Sequence, residues 1–313
     1  MKCAFLDKNG FSIRESEIPS PGTNEVLIKT ASCGICEGDV FRYRTITGGG
    51  CEEQTPVLLG HEGSGVVVSC GPGAENLTPG DPVSSLCGAY AEYFISDYRF
   101  LAKLPAQISP AEALGEPIAC CMHAAGRFGI KPGDRVAVIG CGYMGLICLN
   151  LANLMGAAGI TAFDIIPWRL EDAKKAGASE TVNTANLATE KIPGAEEYDV
   201  VIEAAGVQAA VDAASRLVRK HGIINLVGYH QSEGGLRTIN MKEWNFKSIT
   251  VVNGHVRNEY EKCQAMKAGF RLIAAKKLVM KNYTSDYAFT DIKQAFSDLI
   301  SRKHGLYKAN LLF

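Results

Sequence analysis

An α/β fold organised around a doubly wound parallel sheet, preceded by a separate β-rich region, is predicted by three features of this 313-residue chain. The first is the pattern of residues 1 to about 114. Short runs such as EVLIKTAS, GSGVVVSCG and AYAEYFIS are broken by Pro21-Gly22, Gly71-Pro72-Gly73 and Pro79-Gly80-Asp81-Pro82. Alternating runs between turn residues describe strands with one buried face. The second feature begins at Pro132-Gly133-Asp134. From there apolar strand-like runs alternate with helical ones: RVAVIG, MGLICLNLANLMGA, GITAFD, RLEDAKKAGA, YDVVIEAAG, AAVDAASRLV and GIINLVGY. Strands that alternate with helices are joined by crossovers, which make the sheet parallel and cover both its faces. The third feature is a set of glycines, Gly140, Gly142 and Gly145, between the first of these strands and the first of these helices.

Taken in order, MKCAFLDKNGFSIRESEIP reads as strand, turn, strand, and its charges leave no apolar core of a signal peptide. The uncharged run from Val136 to Phe163 has the length of a membrane span. Glycines at 140, 142, 145, 156 and 159, with Asn150 and Asn153, mark it instead as a buried βαβ unit. Beyond about Gly254 come the helical EKCQAMKAGFRLIAAKKL and DIKQAFSDLISR, and the chain closes on the strand-like YKANLLF. With 47% hydrophobic residues the chain is large enough for two cores. A net charge of −1 and the lack of any run of like charge give no pull toward nucleic acid or anionic membrane, so small, mobile partners are expected. Eleven cysteines, an odd number without a spaced framework, read as reduced thiols of a cytosolic protein. Cys70, Cys121, Cys148 and Cys263 sit in apolar patterns as small hydrophobes.

The glycine motif VAVIGCGYMG has the context a dinucleotide site requires. A strand ends at Ile139, a helix opens near Tyr143, and Asp164 closes the next strand, GITAF, about 20 residues on. Gly140 permits the tight turn, Gly142 lets the backbone approach a pyrophosphate at the helix N-terminus, and Gly145 lets helix and strand pack closely. Tyr143 and Met144 lie within the same loop and are grouped with it. Asp164 can accept from both ribose hydroxyls and would repel a 2′-phosphate. Ile165, Ile166 and Pro167 offer no cation, so NAD is expected over NADP, with Arg169 the one observation pointing the other way.

A nicotinamide enzyme needs a group that polarises its substrate oxygen. Cys36 lies at the end of the third strand-like run of the first region, His61 and Glu62 stand immediately before a strand, and Glu116 stands at the entry to the nucleotide-binding region. Sulfur, imidazole and carboxylate together form a catalytic rather than a structural zinc set, because structural sites are closed by four Cys or His ligands. The pair Cys33 and Cys36 in ASCGICEGDVF also has the spacing of a redox dithiol or of half a zinc knuckle.

In combination these segments resemble the zinc-dependent medium-chain dehydrogenases of the alcohol/polyol dehydrogenase family, sorbitol- or threonine-dehydrogenase-like, almost end to end. The resemblance is carried by GICEGD (34 to 39), GHEGSGVVVSCG (60 to 71), LTPGDPV (77 to 83), EPIACCMHA (116 to 124), GIKPGDRVAVIGCGYMG (129 to 145) and FDIIPWRLEDAKKAGA (163 to 178). It implies a GroES-like catalytic domain over 1–120, a Rossmann NAD-binding domain over 121–257, and a segment, 258–313, that returns to the first domain. The active site is then expected in the cleft between the domains. Cys36 and His61 resemble the two constant zinc ligands, and Glu62 and Glu116 the carboxylates that bind the metal directly or through its water. Cys33 becomes a packing residue, and a dithiol is set aside because no helix N-terminus after a strand is expected there. Arg257, in VVNGHVRN, resembles an arginine that contacts polyol hydroxyls. Lys308, in YKANLLF, resembles a cation that reaches the cofactor pyrophosphate.

The implied protein is cytoplasmic, holds one catalytic zinc per chain and NAD, and exchanges a hydride with a small alcohol or ketone, a polyol or sugar in particular. No nucleic acid or membrane partner is implied. A homodimer or homotetramer is, built by adding sheet edges, with WNFKSITVVNG as the edge strand. The chain departs from the family at three points. Only Cys87 stands where relatives carry four cysteines for a structural zinc, Gly38 replaces the Ser or Thr that takes the alcohol proton, and Phe41 replaces the usual relay histidine. A general base is then sought in Glu62, Glu116 or Glu37, and a polar pocket in Glu37, Arg42, Tyr43 and Arg44. Two other readings stand beside this one: a zinc-free quinone or enoyl reductase of the same fold, and an NAD- or zinc-binding protein without turnover.

Overall fold

Alternating strands with one buried face pair with their sequence neighbours, and the first part of the chain does this twice. The computed structural model describes residues 1–50 and 56–313. It divides into one unit of Met1–Ala119 with Arg257–Phe313 and a second of Cys120–Val256. Cys51 lies outside the described residues.

The first unit opens with β1 (Lys2–Asp7), β2 (Gly10–Glu15), β3 (Glu25–Gly34), α1 (Glu37–Thr47), β4 (Val57–Leu58) and β5 (Glu62–Cys70). It continues through β6 (Pro82–Ser85), β7 (Tyr93–Asp97), β8 (Leu101–Lys103) and the start of α2 (Gly115–Ala125). Strands β2, β1 and β4 form a three-stranded sheet in that order. The larger sheet runs β15-β16-β3-β5-β6-β8, with β7 also on β3. Its β15 (Thr284–Ala288) and β16 (Lys308–Leu312) come from the far end of the chain, after α7 (Glu259–Ala274) and on either side of α8 (Ile292–Ile300). Two registers set the site: β3 lays Gly34 opposite Glu62 of β5, and β16 lays Asn310 opposite Gly34. The smaller sheet packs on α1 and α8 through an aromatic cluster in which Phe296 lies 4.7 Å from Phe11 and 5.3 Å from Tyr43. Tyr43, expected in a polar pocket, is half-buried and packs its ring against this core.

The second unit holds β9 (Arg135–Ile139), α3 (Tyr143–Leu154), β10 (Gly159–Asp164), α4 (Pro167–Lys175), β11 (Glu180–Asn183) and β12 (Tyr198–Glu203). It ends with α5 (Gln208–Leu217), β13 (Val218–Leu226), α6 (Met241–Lys247) and β14 (Thr250–Asn253). Its six strands lie in the order β11-β10-β9-β12-β13-β14, and each pairing is parallel. That is the 3-2-1-4-5-6 order of a dinucleotide-binding sheet, whose direction reverses between β9 and β12. Five of the six residues of β10 are buried, as expected for a strand covered on both faces.

One element differs from expectation. WNFKSITVVNG is not a single strand: its first residues finish α6, and only Thr250–Asn253 joins the sheet. The Asn240 side chain caps α6 by accepting from the Glu243 N–H at 3.2 Å, and Ser248, at φ 50°, turns the chain out of the helix before the strand begins. Among the described residues no helix is long and apolar enough to cross a membrane.

Candidate metal centre and dinucleotide site

Cys36, His61 and Glu62 come together because β3 and β5 are neighbours and the first ligand follows one strand while the others begin the next. One ligand atom from each lies within 4.8 Å of the other two. Cys36 does not end a strand. It is the N-cap of α1, its Sγ accepting the Gly38 N–H at 3.4 Å while the Asp39 carboxylate accepts the Cys36 N–H at 3.1 Å. The capping pair fixes the Cys36 sulfur at the mouth of α1. This also corrects the ground on which a dithiol was set aside, since a helix does follow β3. What disables Cys33 is burial: it is wholly inaccessible within β3, and desolvation pushes its thiol pKa far up.

Glu62 is 1% exposed. Its Oε1 pairs with Lys308 Nζ at 2.5 Å, while its Oε2 is buried with no hydrogen-bond partner. A Cβ on Gly34 would overlap Oε2, so glycine at 34 is what makes room for this carboxylate. An orphaned carboxylate oxygen is costly to bury, and beside a thiol and an imidazole it asks for a cation. Sulfur, nitrogen and oxygen suit zinc in a site that retains an open position. Burial holds the Glu62 pKa above the ordinary range against the pull of Lys308.

Behind the ligands stands a second layer that the sequence reading missed. Asp39, 3% exposed, places Oδ1 3.5 Å from His61 Nδ1 and accepts the Tyr90 hydroxyl at 2.8 Å through Oδ2. A carboxylate at Nδ1 keeps the proton there and leaves Nε2 as the ligand nitrogen. Burial lowers the His61 pKa, but the Asp39 carboxylate and the Cys36 sulfur outweigh it and raise it to about 11. Burial likewise opposes ionisation of Asp39, yet the His61, Tyr90 and Cys36 bonds hold its pKa below the usual value. Asp39 had a signal in its capping-box spacing from Cys36, whereas Tyr90, 51 residues further on, had none.

Two expected roles are corrected. Glu116 is not part of the ligand group: at the start of α2, its Oε1 is paired with Lys262 of α7 at 2.6 Å. Lys308, expected at the cofactor pyrophosphate, is buried in the first unit against Glu62, because β16 lies beside β3. Glu37 is exposed in the first turn of α1, as are Phe41 one turn later and Arg257 ahead of α7.

In the second unit the glycine loop has the form of a cradle. Gly140 takes φ 90°, and a Cβ on Gly145 would overlap the Gly140 carbonyl. Both glycines are required by the protein itself. Gly142 is different: a Cβ there would meet only Arg169 Nη1, at 3.9 Å. As N-cap of the 12-residue α3 it brings no side chain to the helix N-terminus, the kind of helix end at which a pyrophosphate is expected. Asp164 is 7% exposed, and its Oδ2 and Oδ1 accept the Cys141 and Ile166 N–H groups at 2.7 and 2.8 Å. The protein thus fixes this carboxylate, leaving each oxygen one further lone pair.

Residues 22–106 match the family "Alcohol dehydrogenase GroES-like domain", and residues 144–271 match "Zinc-binding dehydrogenase". Sorbitol dehydrogenase from Bos taurus is 32% identical over 248 residues, covering 67% of this chain and 70% of the relative. Among solved structures, galactitol-1-phosphate dehydrogenase from Escherichia coli has a TM-score of 0.87 at 25% identity, with 100% of both chains covered. A protein from Sinorhizobium meliloti 1021, named only provisionally as a zinc-binding dehydrogenase and bound to NADP, has a TM-score of 0.85 at 27% identity over 100% of this chain and 99% of its own. Cys36, His61 and Glu62 fall within the first of these matches and the helix and strands after the glycine loop within the second, and the chain belongs to the zinc-dependent medium-chain alcohol and polyol dehydrogenases, which use NAD(P).

Proposed function

We propose that the protein oxidises polar secondary alcohols, polyols in particular, and reduces the matching ketones, with one zinc held by Cys36, His61 and Glu62 and with NAD favoured over NADP. The observation that carries this reading is the buried Glu62 Oε2, without a hydrogen-bond partner beside Cys36 and His61. Zinc and the nicotinamide would supply Lewis acidity at the substrate oxygen and a hydride acceptor. The chain's own residues do the rest. Asp39 and Tyr90 orient His61, and Lys308 neutralises Glu62 while leaving Oε2 available. With Gly38 and Phe41 in the relay positions, α1 offers no hydroxyl or imidazole there. The substrate proton leaves instead through water beside the exposed Glu37, and Arg257 is a candidate contact for polyol hydroxyls.

Asp164 supports NAD, since a fixed buried carboxylate repels a 2′-phosphate. The free cysteines among the described residues suit a reducing compartment, the cytoplasm. A homodimer or homotetramer joined through β14 completes the reading. A zinc-free reductase would leave the ligand group without a task.

The test is zinc analysis of wild type and Cys36→Ser, followed by NADH formation over sorbitol, galactitol 1-phosphate and simple secondary alcohols. One zinc per chain, lost with turnover in the variant, is expected. A zinc-free wild type that reduces quinones would sink the proposal.

A further inference from the structure

The carboxyl ends of β12 and β13 carry a chain of charged groups that neither the ligand group nor the glycine loop uses. Glu203, the last residue of β12, is fully buried. Its Oε1 accepts the N–H groups of Ala205 and Gly206 at 2.8 and 2.6 Å. Its Oε2 lies 3.0 Å from His230 Nε2. The other ring nitrogen, Nδ1, lies 2.9 Å from Arg237 Nε. Arginine has donors only and stays protonated, so His230 Nδ1 accepts and Nε2 carries the proton given to Glu203. The imidazole is thereby held in one orientation between a carboxylate and a guanidinium.

Both ends of this chain grip the same turn. Glu203 takes the Gly206 N–H, and Arg237 Nη2 donates to the Gly206 carbonyl at 2.9 Å. Gly206 sits at φ 72°, and a Cβ on Gly228 would overlap the Gly206 backbone. The turns after β12 and β13 therefore touch backbone to backbone. The Gly228 carbonyl is in turn 3.1 Å from His255 Nε2, beyond β14. Burying the Glu203 carboxylate is a poor route to stability compared with apolar packing, so its position calls for another explanation.

In a sheet of this order the first three strands hold one mononucleotide half and the last three the other. The glycine loop and Asp164, at β9 and β10, take the adenosine half, and the turns after β12 and β13 border the nicotinamide half. We infer that His230 and Arg237 are positioning residues for the nicotinamide end of the cofactor, fixing through Gly206 and Gly228 the backbone on which it rests. This rests on the dinucleotide reading above.

The experiment compares NADH with ADP-ribose, which lacks the nicotinamide, by calorimetric binding to zinc-loaded wild type, His230→Leu, Arg237→Gln and His230→Gln. The leucine variant and Arg237→Gln are expected to weaken NADH about tenfold and leave ADP-ribose within about twofold. Glutamine at 230 accepts from Arg237 and donates to Glu203 over the same span, and it should restore most of the NADH affinity. Unchanged NADH binding in both disrupting variants overturns the inference, and so does an equal loss of both ligands in both. Wild type that binds neither ligand overturns the dinucleotide reading itself.

Discussion

Glu62 shows how much one buried side chain can report. Its carboxylate has one oxygen on Lys308 and one with no hydrogen-bond partner, the oxygen that under the proposed function meets the metal. Breaking a buried ion pair by removing one partner costs about 3–5 kcal/mol. Lys308→Ala is expected to lose that much in zinc-free protein and clearly less when zinc is bound, because the metal then faces the same carboxylate. Urea unfolding with and without zinc measures both, and equal losses would contradict the ligand role of Glu62. Tyr90→Phe removes the hydroxyl bonded to Asp39, one step behind His61. Partners bonded directly to a metal-binding histidine are worth about 10–100-fold in metal affinity, so this variant, one bond further out, should weaken zinc by up to about tenfold in competition with a chelator. The sequence made Cys36, His61 and Glu62 legible because each stands in a short motif. It misplaced Lys308 because the partner that buries it lies 246 residues away, joined only by the β16–β3 pairing. Glu116 was misplaced for the same kind of reason, its Lys262 coming from α7.

At the scale of elements, α3 and its two flanking strands could be read closely from the sequence, since apolar runs bounded by glycines leave little choice of register or period. Helix α1 could not: only Asp39, Val40 and Ile46 of its 11 residues are buried, so it has no apolar stripe, and its start is written in cap chemistry alone. The α3 loop makes a discriminating prediction. Gly142→Ala should leave stability within about 0.5 kcal/mol, since its Cβ meets nothing nearer than Arg169, yet weaken NADH binding by crowding the pyrophosphate. Gly145→Ala should lose both, because its Cβ would overlap Gly140. Melting curves beside NADH titrations separate the two, and a Gly142→Ala protein that binds NADH normally would remove the cradle argument. Across the sheet, Asp199 of β12 accepts the Arg135 N–H at 2.8 Å and the Arg219 Nε–H at 2.7 Å. Burial opposes these bonds, but they hold its pKa below the usual carboxylate value. A lowered folded-state pKa means stability that is present above the unfolded value near 4 and is lost as the pH falls through the folded one. Asp199→Asn should therefore cost about 1 kcal/mol at neutral pH, and the gap should close below about pH 4.

For the whole molecule, the two edges of the parallel sheet pose unequal problems. A sheet edge presents unpaired N–H and C=O groups that proteins blunt with charge, or else pair with another chain. Strand β11 carries Glu180 and Asn183 and is short and polar. Strand β14 reads Thr-Val-Val-Asn, with no charge, and Val251 is 38% exposed. Leu236 at 77%, Met241 at 51% and Phe246 at 76% exposure, on the segment and helix before it, are further exposed apolar side chains of this unit. Pairing β14 with the β14 of a second copy about a twofold axis would continue the sheet and satisfy both edges at once. The expected outcome is a dimer or tetramer in size-exclusion chromatography with light scattering. Val251→Lys, which puts a charge on the edge without touching the ligand group or the glycine loop, should yield monomers that keep their zinc. A monomeric wild type would mean that β14 is left bare in solution, and the assembly proposal would fall while the site and the fold stood.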